Sequence, residues 1–162
     1  MTTNITVEQA APGQSAQIAP MLGELLTEIM ANIGVQAFNF DLQETTERLR
    51  DFLQNRKYYV FVAREGDYLV GFIALYESYA LYAEGAFGTI AELYVRSEQR
   101  SRGVGKMLTD TAKRFGTTKG WTRLEVTTPP LPQYDRTLKF YEQHGFSIAG
   151  GRKLKAVLKT TL

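Results

Sequence analysis

Ile90-Ala91-Glu92-Leu93-Tyr94-Val95, then Arg96-Ser97-Glu98-Gln99, then Arg100-Ser101-Arg102-Gly103-Val104-Gly105-Lys106 is the stretch on which the reading of this chain turns. The first part is apolar, β-branched and aromatic, and reads as a strand from about Thr89 to Val95. From Gly103 the period becomes helical, with Val104, Met107, Leu108, Thr111, Ala112 and Phe115 on one face, and Gly116 and Gly120 end that helix. A basic loop therefore joins a strand to a helix. The first-turn N–H groups of such a helix have no intrahelical partner, and the macrodipole adds positive potential at that end. Gly103 and Gly105 carry no Cβ, so a phosphate can approach the backbone, and Arg100, Arg102 and Lys106 add full charges. A pyrophosphate suits such a loop. Two familiar phosphate loops do not fit: the P-loop needs Gly at Arg100 and Ser or Thr at Met107, and the dinucleotide fingerprint needs a small residue at Leu108. Taken alone, the segment also reads as a plain, tight strand–helix turn with solvated charges.

Upstream, Tyr58 to Ala63 and Tyr68 to Tyr76 flank the turn Glu65-Gly66-Asp67 and predict a β-hairpin. Glu77 to Gly88 reads as a long connection. Ile5 to Glu8 alternates as a first strand, and Ala11-Pro12-Gly13 breaks the chain. Ile18, Met21, Leu22, Leu25, Leu26 and Ile29 then mark a helix over about Gln14 to Asn32. After the loop Ile33 to Phe40, Asp41 is placed to cap a second helix with Thr45, Leu49, Phe52 and Leu53 on one side. Downstream, Trp121 to Thr128 reads as a strand and Pro129-Pro130-Leu131-Pro132 as an extended loop poor in donors. Asp135 to about Gln143 is a short helix ended by Gly145, and Phe146 to Ala149 and Leu154 to Leu158 read as two last strands. The order β-α-α-β-β-β-α-β-α-β-β predicts a mixed α/β fold, one domain over residues 1–162 around one central sheet.

The chain has 162 residues, 44% hydrophobic and 22% charged, a globular rather than disordered composition. Its 19 Lys and Arg against 17 Asp and Glu give +2. That balance is too even to indicate a nucleic-acid partner or a polybasic membrane surface. There is no Cys, which excludes disulfides, thiolate zinc sites and a Cys nucleophile. The one His, His144, excludes a two-His metal site within the chain, and no metal is expected. No Ser or carboxylate motif accompanies His144 for hydrolase chemistry, and at a helix C-terminus it reads as structural. No apolar run reaches the ~18 residues of a membrane span. Met1-Thr2-Thr3-Asn4 has neither a basic n-region nor an apolar h-region, so a cytoplasmic protein is the expectation.

Phe140-Tyr141-Glu142-Gln143-His144-Gly145-Phe146 follows the basic loop by about 40 residues. Together with Arg100-x-x-Gly103-x-Gly105 it resembles the GNAT superfamily of acetyl-CoA-dependent N-acetyltransferases. That family has Arg/Gln-x-x-Gly-x-Gly/Ala after its fourth strand and often Phe-Tyr-Glu-x-x-Gly-Phe later. The element order agrees along nearly the whole chain. The resemblance implies a mixed, mostly antiparallel sheet flanked by about four helices and splayed between strands four and five. It implies acetyl-CoA as co-substrate and an amine-bearing small molecule or peptide as acceptor. It implies that the backbone of Leu93, Tyr94 and Val95 lines the pantetheine arm like an added strand. The amides of Ser101, Arg102, Gly103, Val104, Gly105 and Lys106, with the Arg100 charge, would hold the pyrophosphate. Tyr141 would face the departing sulfur as general acid. Without the resemblance, Tyr141 reads as a half-buried helix residue packing on Phe146. One departure is that Tyr134 and Thr137 stand where many relatives have Asn and Ala in Asn-x-x-Ala-x-x-Phe-Tyr, so the contacts of that Asn are not carried over.

An amine must lose a proton to attack a thioester. A Lys-like amine has a pKa of ~10.4, so neutralising it at pH 7 costs about 4.6 kcal/mol. Glu92, three residues before Val95, is the candidate partner, since acidic residues recur near there in GNAT relatives. An ordinary Glu at ~4.3 is a poor direct acceptor. Glu92 is therefore expected to orient the ammonium and pass its proton through water; otherwise it is a charge on a solvated strand face. A backbone N–H near Tyr94 or Val95, freed by the splay, would meet the developing oxyanion. In this family acceptor contacts would come from Ile29 to Phe40 and Glu77 to Phe87. Those segments, with Tyr76 beside them, hold Phe38, Phe40, Tyr79, Tyr82, Phe87, Glu77 and Glu84. The set suits a cation with apolar parts, and equally a core cover or a homodimer interface. Arg152-Lys153-x-Lys155 reads as a solvated strand edge. Two other classes stand beside the enzyme reading. One is a non-catalytic acyl-CoA sensor, against which the presence of both Tyr141 and Glu92 counts. The other is a nucleic-acid module around Arg96 to Lys106, against which the even charge balance counts.

Overall fold

The computed structural model describes residues 4–159; Met1 to Thr3 and Thr160 to Leu162, part of the expected 1–162 domain, lie outside the described residues. The elements in chain order are β1 (Ile5–Gln9), α1 (Ser15–Ile33), α2 (Leu42–Gln54), β2 (Tyr59–Glu65), β3 (Tyr68–Ala80), β4 (Gly85–Val95), α3 (Val104–Lys119), β5 (Leu124–Val126) and α4 (Asp135–Gln143). The strands lie side by side in sequence order. β1 to β4 are antiparallel, and α3 crosses over to set β5 parallel to β4. Both faces are covered, which is why β2 and β3 are almost continuously apolar. On one face Phe61, Ala63, Val70, Ile73, Leu75 and Ile90 pack on Val104, Leu108 and Ala112 of α3. On the other, Val60, Val62, Phe72, Ala74 and Tyr94 pack on Ile18 and Met21 of α1. No helix among the described residues is long and apolar enough to cross a membrane.

Local signals placed the helix ends. Gly34, at φ +70°, closes α1 by donating its N–H to the Met30 carbonyl at 2.9 Å. The Asp41 Oδ1 accepts the Glu44 N–H at 2.8 Å and caps α2. Asp41→Ala should lower stability by about 1 kcal/mol in urea unfolding, with activity per folded molecule retained.

Three expectations are corrected. Glu77 to Gly88 is not a long connection, because β3 continues to Ala80 and β4 begins at Gly85. The pairs Tyr76↔Thr89 and Ser78↔Phe87 extend the ladder, and the Ser78 and Thr89 hydroxyls hydrogen-bond at 2.8 Å. Glu84 and Gly85, at φ +61° and +129°, turn the chain sharply enough to permit it. The fifth strand is only Leu124–Val126, because Trp121 anchors instead: its indole N–H donates to Glu77 at 2.6 Å, and its ring presses on Gly88, where a Cβ would lie 2.4 Å away. Finally, Phe146 to Ala149 and Leu154 to Leu158 join no ladder among the described residues. Phe146 still packs on the core, but Gly150 and Gly151 at φ +89° and +79° break the extended run, and Ile148, Leu154, Val157 and Leu158 remain exposed.

Candidate active site

The sheet opens at one place. Leu75 pairs with Ile90 and Ala74 with Glu92, so Ala91 is an extra residue, a β-bulge that bends β4. β5 pairs only with Gly88 to Ile90, just before that bend. From Ala91 to Val95 the side of β4 away from β3 has no ladder partner among the described residues. The bulge also sorts the side chains. Glu92 and Tyr94 point to the α1/α2 face, while Leu93 and Val95 pack towards α3. The expected splay between strands four and five is this opening.

The loop after β4 supplies donors. Ser101 and Gly103 both lie at positive φ, +68° and +79°. Gly103 begins α3 with no side-chain cap, and nothing lies within 4 Å of where its Cβ would be. The first helical bond runs from the Met107 N–H to the Gly103 carbonyl at 3.1 Å. The amides of Val104, Gly105 and Lys106 are therefore without helical partners. Gly105 also serves packing: a Cβ there would meet the Phe140 ring at 3.1 Å, so this glycine lets α4 pack against α3 while its N–H stays among the free donors.

The cations of the loop are already paired. Arg100 makes a bidentate pair with Glu28 at 2.9 and 2.8 Å and also donates to the Val95 carbonyl. Arg102 pairs with Glu65 at 2.8 Å, and Lys106 with Asp110 at 2.6 Å. One turn before Glu28, Glu24 accepts from Arg96 at 2.5 Å and from the Tyr94 hydroxyl at 3.0 Å. Helix α1 thus clamps the loop through two carboxylates, and the backbone N–H groups of Ser101 to Lys106 are left as uncommitted donors among the described residues.

Glu92 does not sit on a solvated face. It lines a cavity of about 190 Å³ between the sheet, α1 and α2, with Ile18, Leu22, Phe40, Leu49, Phe52 and Phe72 among its walls. The Tyr58 hydroxyl donates to its Oε2 at 3.3 Å. Burial, only partly offset by that hydrogen bond, pushes the Glu92 carboxyl up to about 7. The same burial, reinforced by the Glu92 charge, pushes the Tyr58 phenol well above its ordinary range.

Tyr141, on α4, is 5% exposed, and its ring packs edge-on against Phe140 and Phe146. It belongs to the apolar cluster against which Leu93 and Val95 rest, whereas Glu92 lies on the opposite face. The two candidate catalytic side chains thus flank the open end of β4 from opposite sides of the sheet. No fully enclosed side-chain polar atom lacks a partner among the described residues. The Tyr141 hydroxyl makes no hydrogen bond there, so it opens onto accessible space. Burial raises its pKa well above that of a free phenol, and it stays protonated.

Of the expected acceptor-side aromatics, Phe40 lines the cavity beside Glu92. Tyr76, Glu77 and Tyr79 line a second hollow of about 440 Å³ with Phe52, Arg56, Lys57 and Tyr58. Phe87 is buried, with the Arg123 guanidinium 5.3 Å above its ring, and Glu84 sits in the tight turn before β4. Residues that sequence reasoning did not assign to the site include Tyr58 and Arg48, whereas Asn39 falls within the expected segment Ile29 to Phe40. The side of α2 bearing Thr45, Leu49 and Phe52 was the available signal for that wall. At the start of α4, the Tyr134 hydroxyl accepts from Asn32 at 3.1 Å and so ties α4 to the end of α1.

The chain is similar to known proteins over most of its length. It is 25% identical over 142 residues, 88% of this chain and 89% of the relative, to an uncharacterized N-acetyltransferase, YhfO, of Bacillus subtilis (strain 168). An aminoglycoside acetyltransferase, meta-AAC0020, from an uncultured soil metagenomic sample and crystallised in complex with sisomicin superposes with a TM-score of 0.76 at 22% identity, covering 96% of this chain and 97% of that one. A ribosomal-protein-alanine N-acetyltransferase from Brucella melitensis biovar Abortus 2308 superposes with a TM-score of 0.73 at 21% identity, covering 94% and 99%. The sequence pattern of the Acetyltransferase (GNAT) family matches residues 26–146. With that match and the fold agreement, the chain belongs to the GNAT family of acetyltransferases.

Proposed function

We propose that the protein moves an acetyl group from acetyl-CoA to a primary amine of a small molecule or peptide by direct attack within a ternary complex. The observation that carries this is the uncapped start of α3, at Gly103, at the end of the loop that follows the unpaired end of β4. The donor supplies an activated thioester when bound. The residues present fit it: the β4 edge from Leu93 to Val95 offers main-chain groups to an extended amide chain, and the amides of Ser101 to Lys106 offer a concave set of donors to a diphosphate. Arg100 and Arg102, held by Glu28 and Glu65, fix the loop and add positive potential.

Glu92 takes the proton of the incoming ammonium. With its carboxyl at about 7, the transfer from an amine at ~10.4 is uphill by roughly 5 kcal/mol, against about 8 for an ordinary Glu. Burial thus favours direct acceptance over the water relay expected from sequence. A backbone N–H at Tyr94 or Val95 meets the negative charge that builds on the carbonyl oxygen. Tyr141, protonated throughout the working range, donates to the departing sulfur. The thiol is the stronger acid of the two, so this donation assists without being indispensable. Tyr141→Phe should lower kcat roughly 10²-fold with acetyl-CoA affinity within about twofold. Wild-type kcat in that variant would remove the role.

The test of the whole reading is calorimetric titration with acetyl-CoA followed by a thiol-release assay over a panel of amines. Binding with amine-dependent release is expected. Binding without release for any amine would mark an acyl-CoA sensor, and absence of binding would end the proposal.

A further inference from the structure

The cavity in front of Glu92 constrains what the acceptor is, given the acetyltransferase reading. Its volume of about 190 Å³ lies below the roughly 300–1,000 Å³ typical of drug-sized ligands. An apolar cavity of about 150 Å³ accommodates benzene. The space therefore fits one phenyl-sized or branched alkyl body, and the side chains of Leu22, Leu26, Phe40, Leu49 and Phe52 give it apolar walls.

Its charges are equally restrictive. Among its lining residues the only acidic one is Glu92 and the only basic one is Arg48. Arg48 is in no ion pair among the described residues. One ammonium can be matched by Glu92. A second ammonium within this cavity would find no carboxylate and Arg48 on its wall, and Glu77 in the adjoining hollow already accepts from Trp121 and Tyr79 with Arg56 and Lys57 nearby, which is unfavourable on both counts.

We propose that the acceptor is a small primary monoamine with a single aryl or branched-alkyl body, its ammonium seated on Glu92, and that Arg48 discriminates against polycationic amines. A polyamine such as sisomicin, held by the similarly folded aminoglycoside acetyltransferase, is larger than this cavity and brings ammonium groups that its lining does not match.

The experiment measures thiol release from acetyl-CoA by the full chain with phenethylamine, isoamylamine, spermidine, sisomicin and a short Ala-initiated peptide. The apolar monoamines should exceed spermidine and sisomicin in kcat/KM by at least about 10²-fold. Arg48→Glu, a change on an exposed helix position, should raise the spermidine-to-phenethylamine ratio about tenfold or more. The inference is overturned if spermidine, sisomicin or the peptide is the best acceptor. It is also overturned if neither monoamine reacts while acetyl-CoA binds, or if the ratio is unchanged in Arg48→Glu. Failure of acetyl-CoA to bind at all would instead remove the acetyltransferase reading, and this inference with it.

Discussion

Gly103→Glu is expected to abolish acetyl-CoA binding while leaving a folded protein. The position is open: no atom lies within 4 Å of a Cβ built there, so the first carbon of the new side chain meets no steric obstacle. What it does meet is the space above the free amides of Val104, Gly105 and Lys106, where a diphosphate would rest. A carboxylate there satisfies those N–H groups itself, as side-chain caps do, and repels the ligand's charge. The backbone at φ +79° adds about 1–2 kcal/mol of strain for any residue with a Cβ. Gly103→Ala has that strain without the charge and separates the two effects. Calorimetry should show at least a ~10³-fold loss of affinity for the Glu variant and less than tenfold for the Ala variant. Both should retain cooperative thermal unfolding. Wild-type affinity in Gly103→Glu would move the nucleotide away from this loop.

Glu92→Gln should lower kcat/KM by 10²- to 10³-fold and, at alkaline pH, make the protein more stable. The wild-type rate should rise with pH through about 7 as the carboxyl ionises, and the variant should lack that limb. The stability effect has a definite sign. Below about pH 4.5 the group is protonated in both folded and unfolded chains, and it contributes nothing. Between 4.5 and about 7 the unfolded chain ionises and the folded one resists, so folded stability falls as pH rises. The loss reaches about 3 kcal/mol and is then constant. Gln cannot ionise, so urea unfolding at pH 8 should find Glu92→Gln more stable by up to that amount, and at pH 4 close to wild type. A destabilised variant at pH 8 would mean that the carboxylate is held by favourable partners rather than strained by burial.

Much of the architecture was readable because it is encoded locally. Asp41 and Gly34 terminate helices through bonds to residues three or four positions away, and the change from strand to helix at Gly103 is carried by its own residues. The misreadings arose where a distant partner decides. Glu77 to Ala80 and Gly85 to Gly88 become strand only by pairing with each other. Trp121 leaves its strand because Gly88 and Glu77 provide a seat for the indole. A second role of Gly105 was hidden in the same way: Phe140, from a helix 35 residues later, fills the space where a Cβ would stand. The position of Glu92 in a strand was plain, but its surroundings were not. They depend on α2 laying Leu49 and Phe52 over the sheet, and no local periodicity states where a helix docks. That docking also buries Glu92 and so raises its carboxyl to about 7.

Helix α1 is a shared wall. Leu22 and Leu26 bound the cavity in front of Glu92, and Glu24 and Glu28, on the same two turns, grip Arg96 and Arg100 beside the free amides. Any adjustment of this rod demanded by one guest is imposed on the other. Thermodynamic linkage makes that influence reciprocal: the factor by which the nucleotide alters affinity for the amine equals the factor by which the amine alters affinity for the nucleotide.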